Sequence, residues 1–150
     1  MIIMGSISFV LVYLILLIFP KRIQFKILSS LPLINKILHF IKSGEKTGTF
    51  SLPWISEAEG KKNSISGTNV VLIDYNRRPK IIVQIINPYL KRFDEIDIEA
   101  TKLDGPTIRE VKVWREIHLK YWNRILLNYN KECQDDMPVL VEPFKVIYQY

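Results

Sequence analysis

A chain of 150 residues has room for one ordinary domain, or for one small domain with an attached segment. Its 48% apolar and 24% charged residues lie near the globular average, which excludes a disordered or fibrous protein. The single cysteine, Cys133, excludes an internal disulfide, and together with only two histidines it excludes the usual zinc frameworks.

The N-terminal segment is the most apolar part of the chain. Residues 1–19 contain no charged side chain, and a helix of that length would span about 28 Å, close to the roughly 30 Å hydrocarbon core of a bilayer. A cleaved secretory signal is the alternative, but no basic residue precedes the run and no small residues stand before Pro20 for a peptidase. We therefore predict a single transmembrane helix over residues 1–20.

The charges that follow this segment predict its orientation. Lys21, Arg22 and Lys26 come directly after it, whereas no Lys or Arg precedes it. Positive charge favours the cytosolic or matrix face of a membrane. The sequence thus predicts a single-pass membrane protein whose N-terminus lies outside and whose C-terminal domain lies in the cytosol or the mitochondrial matrix.

Residues 21–42 are predicted to form an amphipathic juxtamembrane helix, because apolar residues recur at helical spacing from Ile27 to Ile41. Basic side chains on such a helix could each gain about 1 kcal/mol from anionic lipid headgroups. The predicted lipid-binding residues are Lys21, Arg22, Lys26, Lys36 and Lys42. A helix that packs against other membrane subunits, with its lysines in solvent, explains the same pattern.

The distribution of charge bears on nucleic acid as a partner. Residues 21–50 carry six basic side chains against one acidic side chain, a net of +5, out of +6 for the whole chain. Residues 51–150 therefore carry only +1. Because a nucleic-acid-binding domain usually presents a basic surface, nucleic acid is not expected as a partner. The basic segment is interpreted as an adaptation to the membrane surface.

Residues 43–67 are rich in Gly, Ser, Thr and Lys and show little periodicity, which predicts a linker or a partner-bound arm. Within this region, Gly44-Glu45-Lys46-Thr47 is similar to a fragment of a phosphate-binding loop, although its glycine spacing differs. Trp54 lies in an apolar cluster, and such a tryptophan often docks into another subunit or the membrane interface. The alternative is that Trp54 folds back onto the core of its own domain.

Residues 68–150 are predicted to fold as a small α+β domain, in which a mostly antiparallel sheet packs against one long helix. Runs of β-branched residues predict strands at Thr68–Tyr75 and Lys80–Ile86. Helical spacing of apolar residues predicts the helix at Arg115–Glu132. A hairpin with strands at 95–101 and 107–114 precedes this helix, and a final strand over 139–150, interrupted at Pro143, follows it.

The predicted hairpin carries an arrangement of charged side chains that has a chemical interpretation. With a turn at Asp104–Gly105, Asp97 faces Lys112 and Glu99 faces Glu110 on one side of the hairpin. Two facing carboxylates repel each other unless a cation such as Mg²⁺ lies between them.

This pattern resembles the PD-(D/E)xK nuclease superfamily, in which an acid on one strand and an acid-x-lysine triplet on the next bind Mg²⁺ and activate water. The resemblance implies Asp97, Glu110 and Lys112 as catalytic residues and Mg²⁺ as the cofactor. The simpler interpretation, which we prefer, is that Asp97 and Lys112 form a cross-strand ion pair on a solvated face, without metal or catalysis.

The sequence contains no Gly-x-Ser-x-Gly elbow, no Walker loop and no dinucleotide fingerprint. It therefore predicts a non-catalytic accessory or assembly subunit of a larger membrane complex, by analogy a respiratory-type one, with no cofactor. Other membrane subunits and lipid headgroups would be its partners, and a membrane-tethered Mg²⁺-dependent nuclease is the alternative function. The predicted partner-binding residues are Trp54, Phe144, Tyr148 and Tyr150.

The final strand carries aromatic residues up to Tyr150, so an uncovered position at a sheet edge would favour aggregation. Two positions protect it: inside its own sheet, or paired with a strand of a neighbouring subunit. We prefer the internal position, because a small sheet needs the apolar cover.

Overall fold

The computed structural model describes residues 23–27, 31–74, 76 and 78–150. Its strands are β1 (Ile23–Ile27), β2 (Gly48–Ser51), β3 (Asn69–Ile73), β4 (Pro79–Ile85), β5 (Tyr89–Arg92) and β6 (Pro138–Gln149). Its α-helices are α1 (Leu31–Lys42), α2 (Pro53–Ala58), α3 (Ile98–Thr101) and α4 (Val111–Leu126). Short 3₁₀ turns lie between these elements, at Phe93–Glu95, Pro106–Ile108 and Leu127–Tyr129.

The strands form one six-stranded sheet in the order β1-β3-β4-β6-β2, with β5 also paired to β6. Strands β1 and β3 run parallel, and the other neighbours run antiparallel. The sheet is curled into a half-barrel. The predicted fold, a transmembrane helix ahead of a small sheet domain with one long helix, is therefore corrected to a curled sheet that carries helices α1 and α4.

Strand β6 holds the two halves of the sheet together. Its first half lies between β2 and β5, where Val141 is opposite both Phe50 and Tyr89. Its second half pairs with β4, from Phe144 opposite Ile85 onward. The C-terminal strand thus pairs within its own sheet along its whole length, between β2 and β5 in its first half and with β4 alone among the described strands in its second half.

Two apolar clusters form most of the core. The first packs α4 against β2 and the start of β6, and its centre is Trp114, which is fully buried. The second packs α1 against β3 and β4. Ile34, Leu38 and Ile41 supply the buried face of α1, because residues three and four apart lie on the same side of a helix.

The structure corrects two features of the predicted amphipathic helix over residues 21–42: the residue at which it begins and the surface that its apolar face contacts. Ile23–Ile27 forms a strand, and the helix begins only at Leu31, with a proline in its first turn, where a missing N–H has no cost. Its apolar face lies on the sheet of the same chain. The periodicity was a correct sign of a helix, but the partner of that face is the domain core.

The predicted linker over residues 43–67 is part of the domain. It contains β2, which pairs with β6, and the short helix α2. Trp54 on α2 is half-buried and packs against the first core cluster, with the Lys131 ammonium 4.8 Å from the centre of its ring. Of the two interpretations of Trp54, the structure supports the one in which it folds back onto its own domain.

The predicted hairpin over residues 95–114 is wrong. The Asp97 carboxylate accepts a hydrogen bond of 3.0 Å from the Ala100 N–H and begins helix α3, and α4 begins at Val111. Ile96 is 2% exposed whereas Ile98 is 54% exposed, so these two side chains do not share an apolar face. The alternating sequence pattern came from short helical turns, which period-two spacing cannot distinguish from strands over so few residues.

The predicted transmembrane anchor over residues 1–20 lies outside the described residues. Among the helices of the described part, none is both long and apolar enough to cross a bilayer.

Candidate functional site

A groove of about 360 Å³ lies between the turn after α1 and the second half of β6. Lys42 and Lys145 are exposed at this groove, and Lys46 lies within its wall. The lining residues are Ile41, Lys42, Ser43, Gly44, Lys46, Thr47, Phe144, Lys145, Val146 and Gln149. Three lysines from two distant parts of the sequence therefore meet at one concave surface.

A smaller cavity of about 60 Å³ lies deeper, between α1 and the sheet, and shares Ile41, Lys46 and Phe144 with the groove. Most of its walls are apolar side chains of the second core cluster. Its polar lining consists of Lys46, Thr49 and Glu142. Polar groups are thus concentrated where the groove meets the core.

The turn after α1 brings Lys46 to this position. Gly44 has φ +76°, a left-handed conformation that glycine adopts without strain and that commonly ends a helix. The Lys46 N–H then donates a hydrogen bond of 2.9 Å to the Phe40 carbonyl, which folds the chain back along the helix end. The next residues begin β2, so Lys46 lies between a helix terminus and a strand.

Lys46, which lines the groove, forms an ion pair with Asp104. Their side chains are only 11% and 6% exposed. The Asp104 carboxylate also accepts a hydrogen bond of 2.8 Å from the Gly105 N–H. Because burying an unpaired charge costs several kcal/mol, each partner depends on the other to stay buried and charged.

Arg109 links the two loops that carry this pair. Its Nε donates a hydrogen bond of 2.9 Å to the Asp104 carbonyl, and its Nη2 donates to the Glu45 carbonyl. The Arg109 carbonyl in turn accepts a hydrogen bond of 2.6 Å from the Thr101 hydroxyl. The guanidinium therefore fixes the distance between residue 45 and residue 104, which sets the position of the ion pair.

His118 on α4 lies behind Asp104, with 4.0 Å between Nε2 and the carboxylate. Its ring stacks on Trp114 at a centroid distance of 3.9 Å, and Nδ1 lies 2.9 Å from the Trp114 carbonyl. Burial lowers the pKa of His118 to about 4, against the opposing effects of that hydrogen bond and of Asp104. His118 is thus neutral at neutral pH, and its Nδ1 donates to the Trp114 carbonyl.

Glu142 is a second buried carboxylate at the inner cavity, only 5% exposed. Its Oε2 accepts a hydrogen bond of 2.8 Å from the Ser51 hydroxyl. In the β2–β6 register it lies opposite Thr49. Strand β2 therefore supplies, through Ser51, a hydroxyl partner for a carboxylate that would be costly to bury without one.

The family model of the ASCH domain matches residues 23–148. The chain belongs to the ASCH domain family.

Two crystal structures share the ASCH fold of this chain. One is an ASCH domain from Lactobacillus crispatus JV V101, with a TM-score of 0.77 and 20% identity over 85% of this chain and 81% of that chain. The other is a protein of the DUF984 family from Enterococcus faecalis V583, with a TM-score of 0.79 and 18% identity over 93% and 87% of the two chains. No match was found among curated proteins.

Membership of the ASCH family corrects the function and the location predicted from the sequence. The fold of residues 23–148 is that of an ASCH domain, and no described helix can cross a bilayer. The predicted accessory subunit of a membrane complex is therefore corrected to an ASCH domain, and the predicted single-pass membrane location has no support in the described residues.

The structure does not assemble the acid-x-lysine site of the nuclease resemblance. Asp97 caps α3 and pairs with Lys91, and that ammonium, followed by the Ala100 N–H, lowers the pKa of Asp97. Glu110 and Lys112 lie at the start of α4. Among the described residues, no group of three His, Cys, Asp or Glu side chains could hold a metal ion. The nuclease alternative therefore has no support in this fold.

The predicted lipid-binding residues fall in different places. Lys21 and Arg22 lie outside the described residues, and Lys26 is in strand β1. The Lys36 ammonium lies 5.8 Å from the centre of the Phe40 ring. Lys42, the last residue of α1, lines the groove. The structure thus brings one of these five to the candidate site.

The predicted partner-binding aromatic residues belong largely to the core. Phe144 is buried and lines both the groove and the inner cavity. Tyr148 and Tyr150 form a T-shaped pair with ring centroids 4.7 Å apart, and Tyr148 is 38% exposed. Burial raises the pKa of Tyr150, whose ring packs against the small cluster around Ile82. Of the four predicted aromatic residues, only Phe144 lies at the site.

Sequence reasoning missed Lys46, Asp104, His118 and Glu142 as members of one site. A signal existed for the first, because Lys46 stands in the glycine-containing run that is similar to part of a phosphate loop. For Asp104, the Asp-Gly pair predicts a hairpin turn and gives no sign of a buried ion pair. Nothing in the local sequence around Glu142 indicated that strand β6 would place it beside β2.

Proposed function

We propose that this ASCH domain binds single-stranded RNA in the groove between the end of α1 and strand β6. The observation that carries the proposal is that Lys42, Lys46 and Lys145 all line one groove of about 360 Å³. A concave site of that size suits a ligand as large as a nucleotide. Basic side chains in a groove favour a phosphate backbone.

The family supports this assignment, since the ASCH domain has an RNA-binding-like fold. The net charge of residues 51–150 is only +1, which by itself predicts that nucleic acid is not a partner. The groove, however, joins lysines from both sides of residue 50, so the charge of residues 51–150 alone does not describe it. The local charge at the groove, not the average over a domain, decides whether phosphates are attracted.

The lysines have distinct roles in this proposal. Lys42 and Lys145 are exposed at the rim, where their ammonium groups can contact phosphates as they do in other single-strand grooves. The ammonium of Lys46 already pairs with Asp104 inside the wall, so it holds the shape of the groove. Two phosphate contacts of this kind predict a moderate affinity that falls with salt.

Binding of a fluorescein-labelled ten-nucleotide RNA, followed by fluorescence anisotropy at low salt, tests the proposal. We expect the Lys42→Gln/Lys145→Gln double variant to bind about tenfold more weakly than the unmodified chain. The matched control is Lys112→Gln/Lys120→Gln, which removes the same charge from exposed positions on α4. Equal weakening by both double variants, or no binding by the unmodified chain, would contradict the proposal.

A further inference from the structure

Among the described strands, none pairs with the groove edge of β6 beyond Phe144. On one side, β4 pairs with β6 as far as Gln149. On the other side, β2 ends opposite Pro143, and one more bond, of 2.8 Å from the Phe144 N–H to the Thr47 carbonyl, extends the contact. From Lys145 onward no described strand lies on that side, and the groove occupies the space.

The main-chain groups of Val146 point to this open side. In an antiparallel pair, successive residues direct their N–H and C=O groups alternately toward one neighbour and the other. The Phe144 N–H points away from β4, toward Thr47, and Lys145, opposite Gln84, therefore bonds to β4. Val146, opposite Val83, then faces away from β4 again, and the register shift comes only after this position.

The opposite strand agrees with this alternation. The Ile85 N–H donates a hydrogen bond of 2.8 Å to the Thr68 carbonyl, so Ile85 bonds toward β3 and not toward Phe144. Two residues earlier, Val83 likewise bonds toward β3, where it lies opposite Val70. The N–H and C=O of Val146, a residue that lines the groove, therefore form a donor and an acceptor side by side on the open edge of β6.

We propose that the main chain of Val146 pairs with the Watson–Crick edge of an unpaired base, and this inference rests on the proposed RNA-binding function. That edge of each base offers an acceptor beside a donor, which complements one N–H and one C=O. In a duplex the edge is already occupied, so the contact selects single strands, as sequence-reading RNA-binding modules do with splayed bases.

Charge favours RNA over an extended peptide as the occupant of this edge. Lys42 and Lys145 flank the open main-chain groups and suit the phosphates on either side of a base. A peptide added as a strand needs a regular edge over several residues. Here the register shifts directly after Val146, between Ile82 and Val83 of the opposite strand, so a regular ladder could not continue.

The test compares oligouridine with an otherwise identical RNA of N3-methyluridine, in which the methyl group blocks the Watson–Crick edge and leaves every phosphate in place. We expect the unmodified chain to bind oligouridine at least tenfold more tightly than the methylated RNA, the discrimination that one two-bond contact supplies. Equal binding of the two RNAs would overturn the inference while leaving RNA binding itself intact. Failure to bind either RNA would contradict both.

Val146→Pro assigns the contact to the main chain. Proline removes the N–H that faces the groove, but no bond to β4, and an edge position tolerates it. Val146→Ala is the matched control, because it changes the side chain and keeps the N–H.

We expect the proline variant to bind both RNAs equally weakly and the alanine variant to keep the preference for oligouridine. A folded proline variant that still prefers oligouridine, or one that loses only the binding of an extended peptide, would overturn the inference. If the proline variant does not fold, an ester in place of the Val146 amide gives the same comparison.

Discussion

Lys46 and Asp104 are 58 residues apart in the sequence and form an ion pair whose side chains are 11% and 6% exposed. Lys46 follows the end of α1, and Asp104 precedes the 3₁₀ turn that leads to α4. The pair therefore ties the element that lines the groove to the helix that fills the first core cluster. The pair therefore stabilises the fold as well as the wall of the groove.

We predict that removing either partner of the pair destabilises the fold strongly. Lys46→Met or Asp104→Asn should each lower the free energy of unfolding by about 3 kcal/mol, since each leaves a buried polar or charged partner unmatched. The double variant should lose less than the two single losses combined. Urea unfolding of the unmodified chain, the two single variants and the double variant gives the four free energies of unfolding that this comparison needs.

The exposed pair Lys102–Glu99 is the control for that cycle. Its side chains are 54% and 71% exposed, so Lys102→Met should change the free energy of unfolding by less than about 0.5 kcal/mol. Additive losses at Lys46 and Asp104 would show that the two side chains are not coupled.

The buried imidazole of His118 predicts a loss of stability in mild acid. Its pKa in the folded state is about 4, below the ordinary 6.5, so the unfolded chain takes up a proton first as the pH falls. Stability should be unaffected by this group above pH 6.5 and should decrease by up to about 3 kcal/mol between pH 6.5 and pH 4.

Urea unfolding across this pH range, with two histidine variants, isolates the contribution. His118→Phe keeps a ring against Trp114 and should flatten the profile between pH 6.5 and pH 4. His39→Gln, at an exposed position, should retain the profile of the unmodified chain. A profile unchanged by His118→Phe would show that other groups cause the acid sensitivity.

We predict that replacing Arg109 makes the loop that lines the groove more mobile. Arg109→Lys keeps the charge but cannot donate to both the Asp104 and the Glu45 carbonyls with the geometry of a guanidinium. Amide hydrogen exchange should become faster in residues 43–48 and stay unchanged in β3 and β4. Arg124→Lys, at an exposed position on α4, should leave the exchange of both regions unchanged.

The pairing of the end of β6 with β4 predicts the result of a C-terminal truncation. Deletion of residues 147–150 removes the pairing of Tyr148 with Ile82 and of Gln149 with Ile81. It also removes the bond of 3.0 Å from the Tyr150 N–H to the Lys80 carbonyl. Because a small domain has only about 5–15 kcal/mol of stability, we expect a lower melting temperature or failure to fold. An unchanged melting temperature would be inconsistent with the strand pairing.

The sequence predicted those elements whose local residue pattern suits the environment that they have in the fold. Strands β3 and β4 lie within or near the predicted ranges because runs of β-branched residues fit a buried sheet. Helix α4 begins four residues before the predicted start, at Val111, because the predicted strand at 107–114 occupied that part of the sequence. Where an apolar pattern covers only a few residues, it fits both a strand and a short helix.

The candidate site was beyond sequence reasoning for a different reason. Its members come from α1, β2, the turn before α4 and β6, and only the pairing of β6 with both β2 and β4 brings them together. The partner of an apolar helix face cannot be read from spacing either. The pattern of α1 fits a membrane surface as well as a protein core, and in the structure this face lies on the sheet of the same chain. Which elements lie side by side is decided by long-range strand pairing, and the local spacing of residues does not contain that information.

The most direct test of the central claim maps the amide chemical shifts of the isotopically labelled chain during titration with oligouridine. RNA binding in the groove predicts that the largest shifts fall in residues 41–47 and 144–149, with Val146 among them. Residues of α4 on the far side of the first core cluster should keep their shifts. Perturbations confined to α4, or shifts spread evenly over the whole surface, would contradict the account.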